Sequence, residues 1–419
     1  MGNRWQRYSW DSLVAGEEDS FGRLFVGPVQ RDLTEVHLIH SGVDTLRVLF
    51  KGIANESRWR EIADLYDSGF KQLYRLGELD FVVRSGGKSG YRWNLQNKEA
   101  GIILLFGSRH AHGTDLGAHL KIEFSPHFLY GRSASSVDAW LDFYRKTFLT
   151  KSTDIQWAVH LCADLQGWEP PPDFERILVT RARKFSNWSG IDEVRFDSSG
   201  FAAVYGDCES FLFGAANGLQ LALYRKDREA LKRDKLDWWE QAVWQHAVDP
   251  LNLNPSYQPG LSVWRLEYRL HQSVIGQLLS GVQEGLTATT YVELQGHLKG
   301  FWCYALQVMR LDHKAGWTDP LWQFLAEDAQ FAAVDHSLGP YRRVYKTAGR
   351  GSEKNVALAL GNLLTLWSRQ GFRAEQCLHY LRSSGIWVEV VGYFQSRGIG
   401  EGDLFQWLEK GLALRRLAA

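Results

Sequence analysis

The chain has 419 residues, 45% of them hydrophobic and 13% aromatic, which excludes a disordered or fibrous protein and predicts more than one core. Its 48 basic residues balance its 48 acidic ones, so any nucleic-acid surface must be local. None of the four cysteines (Cys162, Cys208, Cys303, Cys377) sits in a CxxC pair, which argues against a disulfide scaffold or thiolate zinc site and fits a cytoplasmic protein.

From the N-terminus, MGNRWQRYSWDSL lacks the apolar stretch of a signal peptide, and the chain has no run of about 18 apolar residues that would span a membrane. Short apolar or alternating runs then read as strands: 36–50, 78–85, 90–95 and 101–109, punctuated by Gly, Asn and Ser. Between the first two, ESRWREIADLYDSGFKQLYRLG (56–77) has helical periodicity. RSGGKSG (84–90) reads as a hairpin turn rather than a phosphate loop. HAH (110–112), ringed by Gly107, Gly113 and Gly117, reads as loop histidines; on a strand, the same pair would face one way and suit a metal.

Four later strands carry more information. HLKIEFSP (119–126) puts Leu120, Ile122 and Phe124 on one face and Glu123 on the other. IQWAVHLCADL (155–165) sets His160 and Asp164 opposite its apolar residues. GLQLALYRK places Tyr224 opposite Leu219, Leu221 and Leu223. VWRLEYRL (263–270) sets Arg265, Glu267 and Arg269 against Trp264, Leu266, Tyr268 and Leu270. Side chains alternate across a strand, so a shared sheet gathers Glu123, His160, Asp164, Tyr224, Arg265 and Glu267 on one face. A solvated face of an antiparallel sheet is the plain alternative.

Residues 225–248 read as one helix stopped by Pro250, its first turns rich in cations that include Arg225, Lys226, Arg228 and Lys232. These form a solvated face with i,i+4 pairs or contact phosphates. From about 285 the period is helical throughout. The expected fold class is therefore α+β: a largely antiparallel sheet with flanking helices over 1–280, followed by an all-α C-terminal domain over 281–419.

The polar face suits metal-assisted phosphoryl chemistry. Glu123, Asp164 and Glu267 offer hard oxygen ligands for Mg²⁺ or Mn²⁺, and His160 a nitrogen. Tyr224 would be the nucleophile. A free tyrosine hydroxyl has a pKa of about 10, so it needs the metal or a cation such as Arg225, Lys226 or Arg265 to act at neutral pH. There is no GxxxxGK[ST], GxSxG or HExxH motif.

Five segments over roughly 36–275 resemble, in order, those of the Rep_trans family, the rolling-circle replication initiators of staphylococcal plasmids. HSGVDTLRVLF is similar to the family's first core strand, LKIEFSPHFL to its R-V-E-F-N-P strand and VHLCADL to its L-D-L-A-F-D strand. FLFGAANGLQLALYRKDRE is similar to its Y-F-G…F-I-R-I-Y-N-K segment, and VWRLEYRL to its L-W-R-V-E-I-E-L strand. Related phage replication proteins and conjugative relaxases share the pattern.

The resemblance implies a metal-dependent, site-specific DNA nickase whose tyrosine joins the 5′ phosphate and frees a 3′-OH primer. By position that tyrosine is Tyr224, followed by Lys226; Glu123 and Asp164 match the family's strand acids, and Arg265 and Glu267 its final R-x-E. Two positions depart: His160 stands where the family has an aspartate, and Ala222 where it has an arginine. The implied partners are origin DNA, single-stranded or in a melted or cruciform duplex, and a host helicase, with a homodimer as the assembled form. A non-catalytic DNA-binding regulator on the same scaffold, and a relaxase built on the HAH pair, are the alternatives.

Overall fold

The computed structural model describes residues 17–18, 24–25, 33, 35–69, 73–86, 89–171, 174–180, 185–188, 210–215, 218–245, 257–314, 317–331, 341–344 and 352–417. The chain divides into two compact units, 1–344 and 345–419. The expected boundary at 280 moves to 344 because the helices that follow 280 belong to the sheet's own core.

The first unit opens with a two-residue ladder, β1 (Glu17–Glu18) and β2 (Leu24–Phe25). The 18-residue β3 (His37–Ala54) leads into α1 (Glu56–Asp67). Asn55 caps that helix by accepting the Ser57 N–H, and Gly69 (φ 79°) follows its end. The helix expected over 56–77 is therefore shorter, and Leu73–Leu76 is a strand, β4. A meander follows: β5 (Leu79–Ser85), β6 (Tyr91–Asn97), β7 (Ile102–Ser108) and β8 (Gly117–Phe124). Then come α2 (Pro126–Leu129), α3 (Ala134–Phe148) and β9 (Leu149–Gln166), also 18 residues.

Short pieces continue the unit: α4 (Phe174–Ile177), β10 (Leu178–Thr180), β11 (Phe185–Trp188) and β12 (Ser210–Phe213). β13 (Leu219–Arg225) runs into α5 (Lys226–Lys232), α6 (Leu236–Trp238) and a π-helical turn, Trp239–Trp244. β14 (Trp264–Leu270) precedes α7 (Gln272–Val282), α8 (Tyr291–Gln295) and α9 (Leu298–Val308). β15 (Met309–Lys314), β16 (Trp317–Thr318) and α10 (Pro320–Asp328) complete the described part of the unit. The purely helical texture expected after 285 is thus interrupted: β15 pairs with β10 and β16 in a three-stranded sheet.

Eleven described strands form one antiparallel sheet in the order β11-β12-β13-β14-β9-β3-β8-β7-β6-β5-β4. On one face, Leu219, Leu221 and Leu223, the β14 residues Leu266, Tyr268 and Leu270, and Val159, Leu161 and Leu165 are buried in one cluster with Leu141, Tyr144, Val274, Phe301 and Trp322 from the helices. Each such side chain contributes about 1.5–3 kcal/mol on burial. Around β14 the other face is also closed to solvent, since every residue of that strand is buried. It is covered by Lys226–Trp244, where Trp239, Val243 and Trp244 form their own cluster with Ile39 and Val263. A single straight helix over 225–248 does not form. Arg233 ends the first helical segment and Asp234 takes φ 55°, turning the chain so that its tryptophans lie over the sheet.

The second unit is helical, as its periodicity predicts: α11 (Ser352–Arg369), α12 (Ala374–Ser383), α13 (Trp387–Gln395) and α14 (Leu404–Leu417). Its core takes Leu360, Leu364 and Trp367 from α11 and Leu404, Leu408 and Leu412 from α14, at i,i+4 and i,i+3 spacing.

A buried charged cluster as candidate functional site

Register decides which side chains share a face, because directly paired residues of antiparallel strands point the same way. Tyr224 on β13 lies opposite Arg265 on β14, which lies opposite Asp164 on β9, which lies opposite His40 on β3. Two same-face steps along, Gln220, Arg269 and His160 form a parallel row that ends at Thr45, with Glu267 between the two rows. Further across, Arg47 of β3 lies opposite Glu123 of β8. The strand alternation thus brings Glu123, His160, Asp164, Tyr224, Arg265 and Glu267 onto one face, buried at all of them but Glu123, which is half-buried.

Two linked networks hold it. In the first, Arg265 grips Asp164 with both arms, Nε to Oδ1 at 2.6 Å and Nη2 to Oδ2 at 2.7 Å. Its remaining nitrogen donates to Asp44, Trp244 Nε1 donates to Asp164 at 2.9 Å, and the guanidinium lies 4.4 Å above the Trp239 ring. In the second, the Tyr224 hydroxyl donates to Glu267 Oε2 at 2.8 Å, while Arg269 Nε (2.8 Å) and His160 Nδ1 (3.0 Å) meet Oε1. Two guanidiniums therefore face three carboxylates, Asp44, Asp164 and Glu267, with Lys226 and Arg47 as further cations around the cluster.

These neighbours set the proton affinities. Burial works to raise both the Asp164 and Glu267 carboxyls. Arg265 outweighs it at Asp164, and Arg269 with His160 outweighs it at Glu267, so both stay below the carboxylate range. Burial lowers the His160 imidazole against the pull of Glu267, keeping it neutral. Burial, and then the Glu267 carboxylate, push the Tyr224 hydroxyl well above its usual value. As it stands, the protein makes a Tyr224 phenolate costly.

Asp44, His160 and Glu267 each present a ligand atom within 4.8 Å of the others. His160 Nε2 is buried and makes no hydrogen bond, an orphan that a cation would satisfy. Two carboxylates and one imidazole fit a divalent cation, and a nitrogen in the set suits Mn²⁺ better than Mg²⁺.

Of the four expected ligands, His160 and Glu267 join this cluster and Glu123 and Asp164 lie outside it. Glu123 sits on β8, with β3 between it and β9, and pairs with Lys121 (2.7 Å) and Arg47 (3.4 Å). Asp164 is occupied by Arg265. Asp44 takes the third place. Strict alternation along β3 assigns Asp44 to the apolar face with Leu46 and Val48. The register shift between Val43 and Thr45 inserts it as an extra residue and turns it to the polar side. The sequence signal was only an acid out of phase with the polar positions of its strand, next to Thr45. Arg269 was legible, two residues beyond Glu267 on the same face.

The basic residues separate into two groups. Lys226 is buried, donates to Glu229 at 2.7 Å and lies 4.6 Å from the Trp239 ring; Arg225 is bound to Asp227 through two hydrogen bonds, at 2.9 and 2.6 Å. Arg228 and Lys232 are exposed. His110 and His112 stand exposed in the turn between β7 and β8, so the HAH pair does not lie on a strand. Cys162, Cys303 and Cys377 are buried and in no disulfide among the described residues, while Cys208, Lys88 and the N-terminal stretch MGNRWQRYSWDSL lie outside the described residues. No helix among the described residues is long and apolar enough to cross a membrane.

Over 97% of its length the chain is 34% identical to Uncharacterized protein ORF430 of Pseudomonas phage Pf1, covering 96% of that protein across 422 aligned residues. At that identity and coverage the chain belongs to the same family as the phage protein. No family model matches the chain. No solved structure matches it.

Proposed function

We propose that the chain is a replication initiator that nicks and rejoins single-stranded origin DNA through Tyr224, with a divalent cation at Asp44, His160 and Glu267. The observation that carries this reading is the Tyr224 hydroxyl donating to Glu267 while Glu267 also belongs to a cluster with metal-ligand spacing. A phage relative agrees with it, since phage replication proteins share the strand pattern.

In the proposed reaction the phenolic oxygen of Tyr224 attacks a phosphodiester phosphorus. The bond to the 3′ oxygen breaks and a tyrosyl bond to the 5′ phosphate forms. The phenol's proton passes to Glu267 and then to the departing 3′ oxygen, leaving a free 3′-OH; rejoining is the reverse. Arg265 and Arg269 balance the negative charge that gathers near Glu267. A bound divalent cation supplies the further positive charge that makes the Tyr224 phenolate accessible near neutral pH. Because Tyr224 is 4% exposed, strand access requires the groups packed around it, Leu212 and Lys226 among them, to shift.

Single-stranded origin DNA with Mn²⁺ or Mg²⁺ should give a covalent protein–DNA adduct that a chelator suppresses. Tyr224→Phe should give none; full adduct yield from that variant sinks the assignment. The burial of Tyr224 favours a second reading, a DNA-binding regulator on the same scaffold. Such a protein keeps its DNA affinity in chelator and forms no adduct.

A further inference from the structure

A groove of about 620 Å³ opens between α1 and the ends of β5, β6 and β7. Trp59, Tyr66 and Trp93 supply aromatic wall, and Arg92 and Arg109 the charge, with Asp67 the one acid in the lining. It lies on the other side of the sheet from Tyr224: Trp93 lies opposite Phe106, which lies opposite Leu120, within the apolar core. No residue of the charged cluster reaches it.

Trp59 and Trp93 are fixed in place. Trp59 meets Trp93 edge-on at 5.0 Å and Phe106 at 5.7 Å. Gly107 (φ 74°) permits this approach, since a Cβ there would come within 2.9 Å of the Trp93 ring and 3.2 Å of Trp59. The Arg92 guanidinium lies 5.3 Å from the Trp59 ring centroid. Arg109 is exposed and has no ion pair among the described residues. Tyr66 is 42% exposed at the rim. Held aromatic faces beside guanidiniums match a nucleobase joined to a phosphate: the ring stacks and the cations meet the backbone. A carboxylate ligand would have no use for three aromatic rings, and an apolar peptide none for two arginines. The exposed rim also suits a passing strand better than a free nucleotide, whose sites enclose most of the ligand.

We infer that this groove is a second contact for single-stranded DNA, with Trp59 and Tyr66 stacking bases and Arg92 and Arg109 neutralising phosphates. The choice of DNA as the strand rests on the proposed function; the groove itself does not. The test is fluorescence polarisation of a labelled oligothymidylate of about 12 nucleotides, titrated with the full chain in chelator over a salt series. Tyr66→Ala should weaken binding about tenfold. Arg92→Glu with Arg109→Glu should weaken it further and reduce the log–log salt slope by about 1.4, two phosphates' worth. Thymidine monophosphate at millimolar concentration should not displace the oligonucleotide. Affinities and slopes within twofold of wild type in both variants overturn the inference, and so does displacement by the monophosphate. A wild type whose binding depends on these residues yet forms no adduct sinks the nickase and leaves the groove. Adduct formation with binding indifferent to them does the reverse.

Discussion

The helical unit and the charged face of the sheet are both closed to water, by opposite means. In the helical unit, Leu360, Leu364, Leu408 and Leu412 meet one another across α11 and α14 with no charge among them. On the sheet, Arg265, Asp164, Glu267 and Arg269 are buried as ions, each held by its neighbours. Apolar packing of the first kind is stabilising by itself. Ions of the second kind each cost several kcal/mol to desolvate, and an apolar replacement of similar volume often serves stability as well or better. A cluster that forgoes that option and also leaves an orphan imidazole nitrogen is better explained by chemistry than by folding.

Four changes test that contrast, from the largest effect to the smallest. Glu267→Gln removes the carboxylate that accepts from Tyr224 and, on the proposed function, a metal ligand, and should lower adduct yield by on the order of 10²–10⁴-fold, read on denaturing gels. Unchanged yield would remove Glu267 from the site. Arg265→Met leaves Asp164 buried and unpaired, so urea unfolding should show a loss of about 3–5 kcal/mol. A loss under about 1 kcal/mol would mean the pair is far wetter than its burial indicates. Leu360→Ala should cost the helical unit about 3 kcal/mol, seen as early loss of helical circular dichroism, while the adduct yield stays at wild type. Loss of adduct there would tie the helical unit to the chemistry.

Acid supplies the fourth test. His40, beside Trp239, is lowered from 6.5 to about 4, by burial first and then by Arg265 and Lys226, against the pull of Asp164 and Asp44. The unfolded chain binds that proton more readily, so stability should fall as pH drops from about 6.5 to about 4. Asp164 and Glu267, also lowered, add to the loss in the same direction as their carboxyls protonate. The melting temperature should therefore decline monotonically through that window. A flat profile would show that these groups do not carry their shifts.

Much of this was legible in the sequence because it is local. The leucines of β13 and the period of α11 and α14 announce their elements, and two-residue alternation put Tyr224, Arg265, Glu267, Asp164 and His160 on one face. The illegible parts are non-local. The bulge that exposes Asp44 to the polar side depends on how β3 registers against β9. The burial of the charged face depends on Trp239 and Trp244 folding back over it, which needs the break at Asp234 that helical periodicity hides. β15 continues directly from α9, and only its pairing with β10 and β16 makes it a strand.

The central claim is that one residue carries the bond to DNA. Mass spectrometry of the proteolysed adduct, formed on single-stranded origin DNA with Mn²⁺, locates that bond directly. The account predicts the nucleotide mass on the peptide containing Tyr224 and nowhere else. The same mass on another tyrosine would contradict it, as would an efficient nick with no covalent intermediate.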